Sequence, residues 1–151
     1  MNNSGDGFRL DGRILILGIA PGAVERQLSG QELTLDEAGP LRDNISTDEI
    51  TPLPSLLHYG QELARESHTG TRIGNHTPLT QGVLDNSRFS VLVAGSRYGK
   101  GSSREHAPLS EYLAGVRLII AKSFERIYRQ GACGSSARRR DHPAGRHRHG
   151  P

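Results

Sequence analysis

The stretch best suited to chemistry is Gly95-Ser-Arg-Tyr-Gly-Lys-Gly-Ser-Ser-Arg-Glu-His106. Its glycines let a backbone reverse sharply and approach a ligand closely. Two serines, Ser102 and Ser103, and then Arg104 follow at once. If a helix opens there, its free N–H groups and its dipole favour an anion. The planar Arg104 guanidinium suits a carboxylate or phosphate. Such a site takes a small negatively charged molecule and leaves a hydroxyl against it. The plainer alternative is that Ser102 only caps the helix, with Glu105 at capping-box spacing, and that Arg104 is solvated. A nucleotide-binding P-loop does not fit, because the required glycine falls at Ala94 and Lys100 is followed by Gly101 rather than Ser or Thr.

The elements needed to position this stretch are legible around it. Phe89-Ser-Val-Leu-Val-Ala94 is a β-rich apolar run leading into the glycine turn. A helix from Ser102 to about Leu113 follows, stopped at Gly115, and Val116 to Ala121 reads as a second buried strand. Strand, loop, helix and strand at this spacing form a βαβ unit with a parallel pair. Ser123 opens another short helix over Phe124 to Gln130, and Arg13 to Leu17 is an earlier buried strand ended by Gly18 and Pro21. Ala23 to Leu41 is mixed and is expected to be a small hairpin or loop excursion. Asp43-Asn-Ile-Ser-Thr-Asp-Glu-Ile-Thr-Pro52 is dense in side chains that bond their own backbone and reads as a structured loop. Pro54 to Glu66 has near-helical apolar spacing, and Ser67 to Asn86 reads as loop.

Composition excludes several classes. The 151 residues suit one modest domain, with 34% hydrophobic residues and no Trp. No apolar run approaches the roughly 20 residues of a membrane helix. Met1 to Gly7 is polar and lacks the pattern of an export signal, so a cytoplasmic protein is expected. A single cysteine, Cys133, excludes an internal disulfide and a cluster bound by this chain's thiolates alone. The net charge of +3 is misleading, because residues 1–130 hold 14 basic and 15 acidic side chains. The excess sits after Gly131, so the body has no positive field for nucleic acid. A non-enzymatic anion- or nucleic-acid-binding protein working through the Arg/His tail is the rival reading. Residues 131–151 lack Leu, Ile, Val, Met, Phe and Tyr and are expected to form a disordered basic tail. His142, His147 and His149 there suit a metal less well than a solvated run.

With these residues in hand, Tyr98-Gly-Lys-Gly-Ser-Ser-Arg-Glu-His-Ala107 resembles the signature of the swivel domain of the aconitase superfamily. Asp43 to Pro52, Gly115 to Ala121 and Ser123-Phe-Glu-Arg-Ile-Tyr128 resemble, in order, three further parts of that family. The resemblance spans roughly Gly12 to Gln130. It implies an α/β fold of the swivelling β/β/α type, with residues 1–10 a flexible start and 11–130 the domain. It also implies the small subunit of a hydro-lyase that dehydrates and rehydrates a 2-hydroxy di- or tricarboxylate, isopropylmalate first among them and hence leucine biosynthesis. A [4Fe–4S] cluster would be carried by a partner large subunit. By match to the motif, Ser102 would take or return the proton on carbon. Ser103, Arg104 and Gly101 would hold a substrate carboxylate, and Asp48 would assist at the departing hydroxyl through a histidine of the partner. Read without the resemblance, Asp48 is a turn residue. Glu105 and His106 are expected to be structural, and Lys100 solvated.

Two departures from the family pattern stand out. Ile19 to Arg42 looks like an insertion. The resemblance stops at Gln130, where the family continues with an Asn-rich segment and further strands. The Arg/His/Gly/Pro run beyond looks like an out-of-frame reading, so the expectation is a domain incomplete at its C-terminus, with an exposed edge and an inactive fragment as the bleaker outcome.

Overall fold

The computed structural model describes residues 10–52, 54, 57–101, 106–126, 128–129 and 138–141. Within them the chain runs β1 (Arg13–Ile16), α1 (Ala23–Leu28), α2 (Leu35–Ala38), α3 (Thr47–Ile50), α4 (Gln61–Arg65), α5 (Val83–Asn86), β2 (Phe89–Ala94), α6 (His106–Leu113), β3 (Leu118–Ala121) and β4 (Arg138–Asp141). The described strands form one sheet in the order β1-β2-β3-β4, with every pair parallel. This is the parallel α/β architecture expected from the strand–helix–strand pattern.

Register explains why these strands are apolar on both faces. Leu15, Leu92 and Ile119 lie side by side across β1, β2 and β3 and are fully buried. They face the main core, where Ile50, Ala64, Leu84, Ala107 and Ala114 arrive from the helical layer. The next position along each strand turns to the other face. There Ile16 and Val93 pack with Ala23 and Ala38 under α1 and α2. That second cover is partial, since Ile14 and Ile120 stay exposed.

Four segments differ from their sequence reading, the first being Ser67 to Asn86, read as loop, whose end forms the short helix α5 over a buried Leu84. The hairpin or loop excursion expected at Ala23 to Leu41 holds α1 and α2 instead. Each is too short to persist alone. Thr34 caps α2 by accepting from the Glu37 N–H, and Gln27 anchors α1. The Gln27 side-chain amide accepts from Ile16 N–H at 2.8 Å and donates to Ile16 C=O at 2.8 Å, so it closes the outer edge of β1 as a neighbouring strand would. The expected loop at Asp43 to Pro52 contains α3, opened by a capping box between Ser46 and Glu49. Finally, β4 lies inside the basic segment that composition assigned to a disordered tail. Backbone pairing requires no apolar side chain, so composition held no sign of it. The rest of that segment, 131–137 and 142–151, lies outside the described residues, as do residues 1–9.

Candidate functional site

Residues 95–101 leave the C-terminal end of β2 and are clamped from two sides. On one side, Gly95 N–H donates to Arg42 C=O at 2.9 Å and Asn44 N–H to Ser96 C=O at 2.8 Å. Gly99 and Lys100 N–H both reach Ile45 C=O, and Thr47 N–H reaches Lys100 C=O at 2.8 Å. Ser46 and Lys100 thus form a parallel bridge. On the other side, Tyr98 N–H donates to Ser123 C=O and Glu125 N–H to Tyr98 C=O, bridging Tyr98 to Phe124. Arg97, at φ 57, donates its N–H to Ser123 Oγ and its Nε to Glu125.

The glycines are required by these close approaches. A Cβ on Gly95 would overlap the Asp43 carboxylate, whose Oδ1 accepts from Ser96 N–H. A Cβ on Gly99, at φ +82, would overlap the Tyr128 ring.

The same clamp fixes α3. Glu49 Oε2 accepts from Ser46 N–H at 2.9 Å, and Glu49 Oε1 takes Arg42 Nη1 at 2.6 Å and Arg72 N–H at 3.2 Å. Burial alone would raise the Glu49 pKa. The bond from Arg42, the two backbone N–H donors and the Arg42 charge outweigh it and hold the carboxyl below its usual range. Asp48, the next residue back, lies exposed in the first turn of α3. Gly101 packs against the residue before Asp48: a Cβ on Gly101 would come within 3.3 Å of Thr47 Oγ1.

Of the sequence-derived site residues, the structure places Asp48 and Gly101 on two segments joined by the Ser46–Lys100 bridge, with Gly101 packed on Thr47. Ser102, Ser103, Arg104 and Glu105 lie outside the described residues. Lys100 is exposed, and half-buried His106 opens α6, whose Pro108 falls in the first turn where its missing N–H is harmless. The site occupies the carboxyl ends of parallel strands, where α/β sheets habitually bind ligands. A cavity of about 660 Å³ lined by Asp11, Arg13, Asp85 and Arg88 opens at the opposite end, far from this turn. Among the described residues, no group of three or more His, Cys, Asp or Glu converges as a metal cradle. Nor is any described helix long and apolar enough to cross a membrane.

Sequence reading missed a buried polar cluster behind the turn. Glu111 of α6 accepts from the Tyr98 and Tyr128 hydroxyls, and His68 Nε2 lies 2.7 Å from Glu111 Oε1. His68 and Glu111 are fully buried. His68 sits in a stretch read as loop. For Glu111 a signal existed, since it shares a helix face with Ala107 and Ala114 that the core claims.

The comparisons with known proteins agree with one another. The aconitase C-terminal domain family model matches residues 43–137. The 3-isopropylmalate dehydratase small subunit 2 of Arabidopsis thaliana is 35% identical over 94 residues, covering 58% of this chain and 37% of that protein. The 3-isopropylmalate dehydratase small subunit of a Hydrogenobaculum species is 36% identical over 91 residues, covering 60% of this chain and 52% of that protein. A crystal structure of 3-isopropylmalate dehydratase from Methanocaldococcus jannaschii superposes with a TM-score of 0.51 at 32% identity, over 62% of this chain and 52% of that one. The chain spans about half or less of the length of these relatives.

Proposed function

Because this chain belongs to the aconitase C-terminal domain family, we propose that it is the small subunit of a two-subunit hydro-lyase of the 3-isopropylmalate dehydratase kind, acting in the cytoplasm in leucine biosynthesis. The observation that carries the proposal is the clamp at the carboxyl ends of the strands, where Ser46 bridges to Lys100 and Thr47 lies against Gly101, so that α3, which holds Asp48, is tied to the turn. Ser102 and Arg104, the residues assigned to chemistry by the motif, follow Gly101 directly in the chain. The relatives named as small subunits support the two-subunit arrangement.

On this reading the chain contributes acid–base and anion-binding groups. Ser102 removes the proton from the carbon beside a carboxylate, and the C–O bond to the neighbouring hydroxyl breaks, releasing water. A serine is a weak base near its free pKa, so its oxyanion needs donors and a cation in a dry site. Gly101, Ser103 and Arg104 hold the substrate carboxylate, with Arg104 suited to a bidentate grip. Asp48 assists proton delivery to the departing hydroxyl. Lewis acidity toward that hydroxyl is the chemistry a [4Fe–4S] cluster supplies when bound. Such a cluster takes three or four thiolates and this chain has only Cys133, so its donor set does not fit and the cluster is assigned to the large subunit.

The test is anaerobic co-purification with a dehydratase large subunit from the same genome, then turnover of isopropylmalate followed by ultraviolet absorbance of the unsaturated product. Removing a general base that acts in the transition state costs orders of magnitude, so Ser102→Ala should lower kcat by roughly 10²–10⁴-fold without breaking the complex. A complex that forms but turns over equally well with Ser102→Ala refutes the assignment.

A further inference from the structure

We propose that Glu111, together with His68, Tyr98 and Tyr128, is a positioning latch that holds the glycine turn and α3 in register with each other. The inference rests on the dehydratase reading for its functional consequence but not for its structural one. Glu111 is fully buried on α6 and receives donors from three other segments. Tyr98 belongs to the turn itself. Tyr128 ends the segment that grips the turn from the Ser123 side. Its ring meets Tyr98 edge-on at 5.3 Å between centroids and stacks on Phe124. His68 belongs to the segment that holds the end of α3: its N–H donates to Ile50 C=O at 2.7 Å, and Gly70 N–H donates to Glu49 C=O at 2.9 Å. From the His68 ring, Nδ1 lies 2.8 Å from Thr71 Oγ1, and the Thr71 hydroxyl in turn reaches Glu49 C=O.

A packing role does not account for this arrangement. An apolar side chain at 111 would fill comparable space without the desolvation cost of a carboxylate. The carboxylate adds direction, because hydroxyls from two segments and an imidazole from a third must converge on its two oxygens. The Tyr98 hydroxyl is a dependable donor: burial, then the Glu111 charge, push its pKa well above the usual phenol value. The latch therefore acts through Tyr98 on Gly99 and Lys100, and through His68 on Glu49 and Asp48. Its members are positioning residues that never touch substrate.

The experiment uses the full chain in complex with its large subunit. Glu111→Leu removes the acceptors while keeping the site filled, and Tyr128→Phe removes a single donor if Glu111→Leu does not fold. Amide hydrogen exchange is read at Thr47, Gly99 and Lys100, against Leu92 and Ile119 in the sheet. The latch predicts faster exchange at the first three by about tenfold or more, with the sheet amides unchanged, because a local opening has become easier. It also predicts kcat lower by about 10–100-fold with KM nearly constant, since misplacement is felt in the transition state. Equal acceleration at all five amides would mean general destabilisation and overturn the latch. So would unchanged exchange at Thr47, Gly99 and Lys100, even if the wild-type complex turns over. A wild-type complex without turnover would refute the dehydratase reading, while the exchange pattern still decides the latch.

Discussion

Gly99→Ala tests most directly whether the turn is gripped on the Tyr128 side. Gly99 has φ +82, and a Cβ there would overlap Cβ, Cγ and Cδ2 of Tyr128. Holding an L-residue in the left-handed region costs about 1–2 kcal/mol. Forcing a buried ring aside costs about 1–3 kcal/mol more. Tyr128 has little freedom to yield, because its hydroxyl is held by Glu111 and its ring stacks on Phe124 at 6.2 Å between centroids. The expected loss is therefore about 2–5 kcal/mol, a large share of the roughly 5–15 kcal/mol that holds a domain together. The two contributions separate in a double-mutant cycle. Tyr128→Gly removes all three overlapping atoms and leaves the backbone cost at 99, so Gly99→Ala should cost about 1–3 kcal/mol less in that background. Urea unfolding followed by tyrosine fluorescence and far-UV circular dichroism measures each corner, since the chain has no Trp to dominate the signal. Additivity of the two substitutions within about 0.5 kcal/mol would refute the steric argument.

Two other substitutions probe the supports of the site. Gln27→Leu should destabilise the chain by about 2–4 kcal/mol, because Ile16 N–H and C=O both lose their partner on the outer edge of β1. Loss of protection at the Ile16 amide in hydrogen exchange is the direct readout, and unchanged protection would disprove the edge-closing role. Glu49→Gln should cost about 1–2 kcal/mol at neutral pH through the Arg42 pairing. The folded carboxyl titrates below its reference of 4.5, so this stability is fully present above that pH and is lost as pH falls through the lower folded value. Unfolding measured from pH 7 to pH 3 should show the parent and Glu49→Gln converging at the acid end, and a constant gap would contradict the pairing.

How much of this was readable without coordinates follows from the range of each interaction. The three core strands β1, β2 and β3 announce themselves through short β-branched and leucine-rich runs, and the turn after β2 through its glycines. Helices α1 and α2 do not, because a six-residue and a four-residue helix exist by virtue of what they pack on. Helix α3 was readable in principle: Ser46 and Glu49 stand at the same capping-box spacing that marked Ser102 and Glu105.

The sequence by itself determined the local chemistry: a glycine turn aimed at a helix start, a serine pair and an arginine beside it, and too few cysteines for a cluster. Covalent spacing suffices for that, because those groups lie within a few residues of one another. Only the tertiary structure decided that Thr47 meets Gly101, that Glu49 takes Arg42, and that Glu111 gathers Tyr98, Tyr128 and His68. These contacts join residues 7 to 54 positions apart. No sequence period encodes them, since they form only where a parallel sheet has brought its loops to one end and a shared core has removed the water between them.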